Sequence, residues 1–498
     1  MFSDVRRSDA RRVRLVPAVL SGVAFVCAGL LFACLDGATT PGATVARLVI
    51  TAPDTAGLPG TVLGLMATAY DTAGVVVPDV RVRWLSFDTT IAVVDSTGHA
   101  RLGPVTSSVS VSATDSASSA ADTIILHVAR EGEVRWVLNL ADSTSTVGGP
   151  TLGPDGTVYL LTAPFYGTQN VADLHAVSPR GTERWRLRLD RTLENGLVVG
   201  PDGTVYVIGR TVRAVTPTGA VSWAQVLTAA STSAFLMGAL APGGPLIVAG
   251  ENSPLSLDLT TGDTVWVGPV DPFGGWLLPP TVAGPTVWIK RTADTLYSLA
   301  LATGQVQLGI ADPDTGLDKR SFGMGPVVVG DRLYMPTAYR LAAFDTSGQL
   351  LWLTQDRGTG VTEPVIDAQG NVYVQTNADG LLALEPTAGA WRWRRLACRP
   401  RWTWHGGPAL GEGGVIYCAA LNGFYAYDTS GTLRWAYQTT EGGTDTVPFY
   451  GAPAIAPDGT VYSYSDSRLY GFWGSHPPEP NSPWAMWRHD AQRTGVAR

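Results

Sequence analysis

The side chains able to bind metals, move protons or attack a carbonyl are spread thinly along this chain. Its six histidines, His99, His127, His175, His405, His476 and His489, are scattered. No His-Glu-x-x-His, Cys-x-x-Cys or Gly-x-Ser-x-Gly pattern brings a base, a nucleophile or a ligand pair together. Asp312-Pro313-Asp314-Thr315-Gly316-Leu317-Asp318 alternates oxygen donors as a calcium loop does. Its twelfth position is Gly323, where such a loop needs a bidentate Glu. The Asp-Gly pairs at Asp155, Asp202 and Asp458 read as hairpin turns. No catalytic, cofactor-binding or metal-ligating residue is therefore assigned. Cys398 and Cys418 are a possible disulfide in an oxidising compartment or two buried thiols, and spacing does not choose between them. Arg399-Pro400-Arg401-Trp402-Thr403-Trp404-His405 combines cations with aromatics, the residue types enriched at interaction hot spots. With Trp276, in Asp271-Pro272-Phe273-Gly274-Gly275-Trp276, as a weaker companion, it is either a candidate interaction surface or ordinary packing between repeats.

The elements that carry these residues read as strands. Of 498 residues, 45% are hydrophobic and only 15% charged, which excludes a disordered polyelectrolyte. The 57 Gly and 34 Pro fall between short Val/Thr/Tyr/Trp runs, the pattern of an all-β protein with many turns. At about 100–200 residues per domain the chain holds two to four domains. The net charge of −7, with no basic stripe after residue 20, excludes the phosphate attraction of nucleic-acid binders.

Arg6, Arg7, Arg11, Arg12 and Arg14 precede an apolar run from Leu15 to Ala33, the order of a secretory signal. An uncleaved membrane helix is the other reading of that run. Leu31-Phe32-Ala33-Cys34 resembles the lipobox of bacterial lipoproteins. The resemblance implies a signal peptide over 1–33, lipidation of Cys34 and a membrane anchor, since two or more acyl chains hold a domain stably. The expected place is the cell envelope, at the outer membrane, facing the periplasm or the cell surface. Cleavage removes five Arg and two Asp, so the exported chain is more acidic still.

After a linker over 34–43, alternation marks six or seven short strands within 44–129, at 46–50, 62–69, 80–84, 91–94, 109–113 and 124–128. Val82-Arg83-Trp84-Leu85-Ser86 and Ile91-Ala92-Val93-Val94-Asp95, followed by Gly98, resemble the bacterial group 2 Ig-like domain. That resemblance implies a β-sandwich with Trp84 in its core, used as a spacer or, in adhesins, for adhesion. Adhesion would require an exposed apolar patch.

Residues 130–474 repeat. Gly-x-x-x-Trp recurs as Gly132/Trp136, Gly181/Trp185, Gly219/Trp223, Gly262/Trp266, Gly348/Trp352, Gly389/Trp393 and Gly431/Trp435, with an eighth copy, Gly304/Leu308, that has lost its aromatic. A second series, Asp155-Gly156-Thr157-Val158-Tyr159 and its relatives, also counts eight. Four strands in each 40–45 residues is roughly the length of a propeller blade. The Gly supplies positive φ at the outer turn, and the Trp is free to cover the neighbouring sheet. Leu308 predicts one weaker dock. The first Gly/Trp pair has no blade before it and the last unit lacks an outer strand, so the strand near 132–140 is expected to complete the last blade and close the ring.

Ala426-Tyr427-Asp428-Thr429-Ser430-Gly431-Thr432-Leu433-Arg434-Trp435 resembles the tryptophan-docking repeat of quinoprotein-type eight-bladed propellers. That family includes pyrroloquinoline-quinone dehydrogenases and the non-enzymatic propeller lipoprotein of the outer-membrane β-barrel assembly machinery. A dehydrogenase needs an aspartate base and a Ca²⁺ held by carboxylate and amide oxygens, and that set is not found. An enzyme would show such residues converging on the central channel; a scaffold would show a polar, ligand-poor channel. The tail over 475–498, with Pro483-Trp484-Ala485-Met486-Trp487-Arg488-His489-Asp490-Ala491-Gln492-Arg493-Thr494-Gly495, resembles a segment that accompanies many proteins of this repeat class. It reads as a docked plug with Trp484 and Trp487 buried, or as a functional hook. The expectation is a monomeric, non-catalytic lipoprotein without a cofactor, whose propeller binds a protein or glycan partner in the envelope. The alternatives are a quinone- or Ca²⁺-dependent oxidoreductase and a cell-surface adhesin.

Overall fold

The computed structural model describes residues 44–497, apart from 141–143, 147–148, 165–170, 191–195, 228–236, 250–252, 270–276, 292–294, 315–323, 338, 355–359, 401–405, 439, 442–444, 447 and 466. β-branched and aromatic runs cut by Gly and Asp every few residues favour pleated strands over helices. Accordingly the described residues hold no α-helix, only one 3₁₀ turn at Leu396–Cys398. None is long and apolar enough to cross a membrane as a helix.

Between residues 47 and 128, three small sheets enclose one apolar core that includes Leu48, Leu63, Ala92, Val111 and Leu126. The single strand expected over 62–69 is two. Val62–Gly64 pairs with His99–Leu102, and Met66–Tyr70 pairs with Arg47–Thr51. The chain changes sheets at Leu65, whose N–H is taken by the Gly98 carbonyl at 2.8 Å. Trp84 packs against this core but is only half-buried, which corrects its expected place inside it.

Eight sheets follow, each built on four antiparallel strands, and they are numbered here as blades 1 to 8. Their spans are 144–190, 196–226, 238–267, 281–311, 327–353, 365–395, 409–437 and 450–472. Blade 7 shows the plan, running outward from Ala409–Gly411 through Val415–Ala420 and Gly423–Tyr427 to Leu433–Tyr437. Its first three strands are buried throughout, while the outermost alternates exposed and half-buried residues. The core therefore lies between the inner strands of adjacent blades. Blade 8 lacks an outer strand of its own. Val134–Asn139 supplies it, antiparallel to Arg468–Phe472 with Val137 opposite Tyr470. The ring is thus closed by its two ends, as the offset of the repeats predicts.

Candidate functional site

At the rim, seven of the eight seams between blades are made by one indole and one glycine. Trp136 lies on Gly181 of blade 1, Trp185 on Gly219, Trp223 on Gly262, Trp266 on Gly304, Trp352 on Gly389, Trp393 on Gly431 and Trp435 on Gly132. These glycines have φ of +65° to +88°, and a Cβ on any of them would lie under 3 Å from the neighbouring blade. Turn and close approach thus both require Gly. The indole N–H donates to a carbonyl of the next blade, at 2.8–2.9 Å to Pro179, Pro217, Leu259, Leu301, Pro386 and Thr429 from the first six in turn. Leu308 has no such donor. The seam between blades 4 and 5 is filled instead by Ile310 and Leu308 against Gly348.

At the axis, the tail does what the rim does not. An innermost strand has one paired edge and one edge facing the channel, and buried groups on that free edge need partners. The tail supplies them in order around the ring. Ile366 of blade 6 donates its N–H to Trp484 O (2.9 Å), Leu410 of blade 7 to Ala485 O (2.7 Å) and Leu152 of blade 1 to Ala491 O (2.8 Å). Val199 of blade 2 donates to Gln492 O (3.0 Å), Leu240 of blade 3 to Thr494 O (2.8 Å) and Val282 of blade 4 to Gly495 O (2.9 Å). In blade 8 the Ile455 N–H faces the Met486 sulfur at 3.4 Å. Val496 and Ala497 then add a parallel strand to blade 4, and Ala497 packs beside Val328 and Leu333 of blade 5.

Side chains complete this hub. The Arg493 guanidinium donates to the carbonyls of Pro150 (2.9 Å), Ala452 (3.0 Å) and Trp487 (3.0 Å). Arg488 donates to Gly238 O at 3.3 Å and to Pro280 O. Glu363, at the entry to blade 6, accepts from the Trp484 indole (3.0 Å) and the Arg488 backbone N–H (2.6 Å). Its other oxygen faces the Arg488 guanidinium at 3.8 Å. Trp484, Trp487, Arg488 and Arg493 are all at most 2% exposed. Burial pushes the Glu363 carboxyl up and the Arg488 guanidinium down, with their ion pair opposing both. Burial also pulls Arg493 down to about 9, against the pull of Glu363 and Asp490. Burial disfavours the charge on Asp490, but hydrogen bonds from His489 and Thr494 outweigh it and hold its pKa below the usual carboxylate value. Arg488, His489 and Arg493 take positive φ, three of the five non-glycine residues that do so among those described. Such a backbone costs about 1–3 kcal/mol per residue and persists where its surroundings demand it.

The tail is therefore a plug with both Trp484 and Trp487 inside, and the channel is filled, not open. Glu363 was not expected from the sequence. The signal for it is positional: the repeats put Gly149, Gly325, Gly407 and Ala452 before the proline that opens the inner strand, and only Glu363-Pro364 puts a carboxylate there among these.

Of the candidate interaction surface, Arg399 is exposed and its carbonyl accepts the Leu421 N–H at 2.9 Å. Arg401, Trp402, Trp404, His405 and Trp276, and the lipidation residue Cys34, lie outside the described residues. Cys398 and Cys418 are both buried and joined, with Cα atoms 6.1 Å apart, linking the end of blade 6 to blade 7. Asp312 of the calcium-like run meets a built-in cation, Lys290 Nζ, at 2.9 Å, and that ammonium also donates to Pro336 O at 3.1 Å. In the 44–129 region, Phe87 and Ile125 flank Ser110 on one sheet face, 67% and 63% exposed, with Leu85 beside them at 52%.

A quinone with Ca²⁺ needs axial space, a free carboxylate base and clustered oxygen ligands. Here the axis is filled by Trp484, Arg488 and Arg493, Glu363 is engaged by the tail, and no three metal-ligating side chains group together among the described residues. These residues do not fit that group.

The sequence profile described as outer membrane protein assembly factor BamB matches residues 170–395 and 340–472, more than half of the chain. No curated protein matches it. Among solved structures, the chain is similar to BamB from Moraxella catarrhalis at 17% identity and a TM-score of 0.49, over 69% of this chain and 98% of that one. It is similar to the computationally designed Ika8 protein at 12% and 0.50, over 69% and 100%. Similarity to quinohemoprotein alcohol dehydrogenase from Comamonas testosteroni is 13% and 0.50, over 68% and 76%. At such identities the last two speak for the fold alone.

Proposed function

The chain belongs to the PQQ-like repeat family described as outer membrane protein assembly factor BamB, and from that premise we propose that it is a non-catalytic binding propeller of the cell envelope. Lipidated Cys34 anchors it, the block over 44–129 is an Ig-like stalk, and the ring presents a surface to a protein partner. The observation that carries this reading is the filled axis. Where a propeller enzyme would hold its reacting groups, Glu363 is engaged by the tail, and the tail's own Arg488 and Arg493 fill the axis on ring carbonyls. Binding is then left to loops held by the rigid ring, where recognition residues concentrate. The segment around Arg399, Arg401, Trp402, Trp404 and His405 is the surface we assign, and the disulfide between Cys398 and Cys418 ties its base to blade 7. The exposed Phe87, Ile125 and Leu85 favour adhesion through the stalk as a second reading.

The test is calorimetric titration of the chain from residue 36 onward with pyrroloquinoline quinone and Ca²⁺, read together with dye-linked alcohol oxidation. The expected result is no saturable heat and no turnover. Saturable heat with turnover overturns the proposal and makes the protein an oxidoreductase.

A further inference from the structure

The tail sits in the channel in the manner of a bound peptide. Pro480 and Asn481 are exposed on the way in, and Ser482 and Trp484 through His489 are buried. Its regular partners belong to the blades: six backbone carbonyls, at Trp484, Ala485, Ala491, Gln492, Thr494 and Gly495, accept from the inner strands of six of them. Its own internal bonds join near neighbours: the Met486/His489 bridge, the Arg493 and Gly495 N–H groups to the Asp490 and Arg488 carbonyls, the Arg493 guanidinium to Trp487 O, the Trp484 N–H to Ser482, and the Asp490 contacts with His489 and Thr494. Two of its three left-handed residues, Arg488 and Arg493, carry guanidiniums that donate to ring carbonyls, at Gly238 and Pro280 and at Pro150 and Ala452. A segment whose backbone carbonyls and guanidiniums are met by the surrounding ring sits there as a ligand does.

We propose that the axial channel is a peptide-recognition site, that its ligand is a cationic, Trp-bearing segment with the pattern of Trp484 to Gly495, and that a second copy of this chain can supply that segment in place of the resident tail. Three features set the specificity. Glu363 is a buried carboxylate that needs an indole N–H and a cation against it, so the channel selects Trp and Arg together. The carbonyls of Pro150 and Ala452 lie 2.9 and 3.0 Å from one guanidinium nitrogen of Arg493 while Trp487 O meets the other, a planar fork that a lysine ammonium cannot reproduce. The Arg493 guanidinium also lies 4.9 Å from the Trp487 ring, which rewards an aromatic six residues earlier. This inference does not depend on what the outer surface binds.

The experiment is a protease site inserted between Pro480 and Asn481 in the full chain. After cleavage the tail is expected to stay with the ring through size exclusion, and a fluorescent synthetic peptide of residues 481–498 is expected to exchange into it, saturably and one to one. Glu363→Gln in the ring should weaken the peptide at least tenfold. Arg493→Lys in the peptide alone should do the same against the unaltered ring, which keeps the test independent of how the ring variant folds. If cleavage unfolds the ring, the tail is an inseparable part of the fold and the proposal falls. It falls equally if a scrambled peptide of the same composition exchanges as well, or if neither substitution changes the affinity.

Discussion

Rim and axis hold the same eight blades together by opposite means. At the rim the seams are a local, repeated contact: a Trp on a left-handed Gly, used seven times with an indole hydrogen bond at six of them, and interrupted once at Leu308. At the axis a single non-repeating segment touches every blade in turn, with two guanidiniums and one carboxylate used once each. A repeat makes a ring of any number of blades. Only a segment that spans them all can reward the number eight, because its carbonyls meet the inner strands in register only when the ring has closed.

Stopping the chain after Pro480 is the largest blow that contrast predicts. It exposes Trp484, Met486 and Trp487, each worth roughly 2–3 kcal/mol of burial, and removes six backbone hydrogen bonds at about 1 kcal/mol each. The total rivals the 5–15 kcal/mol that is typical of a whole domain. The truncated chain, held by the rim seams alone, should still fold but melt far below the full chain by calorimetry. A melt within 2 °C of the full chain, on the order of 1 kcal/mol or less, would break the comparison by showing that the rim suffices.

The difference between rim and axis also decides what the sequence discloses. Seven Gly/Trp pairs and eight Thr-Val-Tyr-like strands announce blades, their number and the closing strand, because periodicity multiplies a weak local signal. The hub has no such amplifier. Glu363 differs from Gly149, Gly325 and Gly407 in one residue, and nothing local in Arg488 or Arg493 says that each will turn left-handed and enter a channel. In the N-terminal block, alternation over 62–69 is continuous across Leu65, so the switch of sheet there is set by Gly98, thirty-odd residues away in sequence, and leaves no mark on the pattern. The segment around Trp402 and Trp404 is read from residue type alone, and its geometry lies outside the described residues.

Within the rim, the Leu308 seam sharpens the contrast at a smaller scale. Trp352 is 6% exposed, packs on Tyr334 with ring centroids 5.9 Å apart and donates to Pro386 O. Trp352→Leu should cost about 3–5 kcal/mol, from lost burial, a cavity over Gly389 and an unpaired carbonyl. Leu308 is half-buried, shares its seam with Ile310 and makes no polar contact there. Leu308→Ala should cost roughly 1–2 kcal/mol, less than a fully buried leucine. Urea titration of the two variants checks the ratio, and equal costs would mean that the indole adds nothing beyond bulk.

Acid separates turn carboxylates from the hub carboxylate by sign. Asp95 has its pKa lowered to about 2, chiefly by the Thr97 hydroxyl and then by the His99 N–H. Asp345 and Asp428 are lowered in the same way by Ser347 and Ser430. A depressed folded pKa contributes stability that is present above the ordinary value of 3.8 and is lost as pH falls from there towards 2. Glu363 runs the other way: burial raises its folded pKa, so its protonation on acidification favours the folded hub. Asp95→Asn should therefore flatten the fall of Tm between pH 4 and 2, by a small margin because the group is exposed and screened. Glu363→Gln should remove the gain in stability that accompanies acidification down to the ordinary glutamate value of 4.5 and leave the fall between pH 4 and 2 unchanged, even as it lowers Tm at neutral pH. Parallel pH profiles for the two variants would mean that acid acts on the turn carboxylates and the hub carboxylate alike. Divergent ones would locate the acid-labile bonds in the turns and not in the hub.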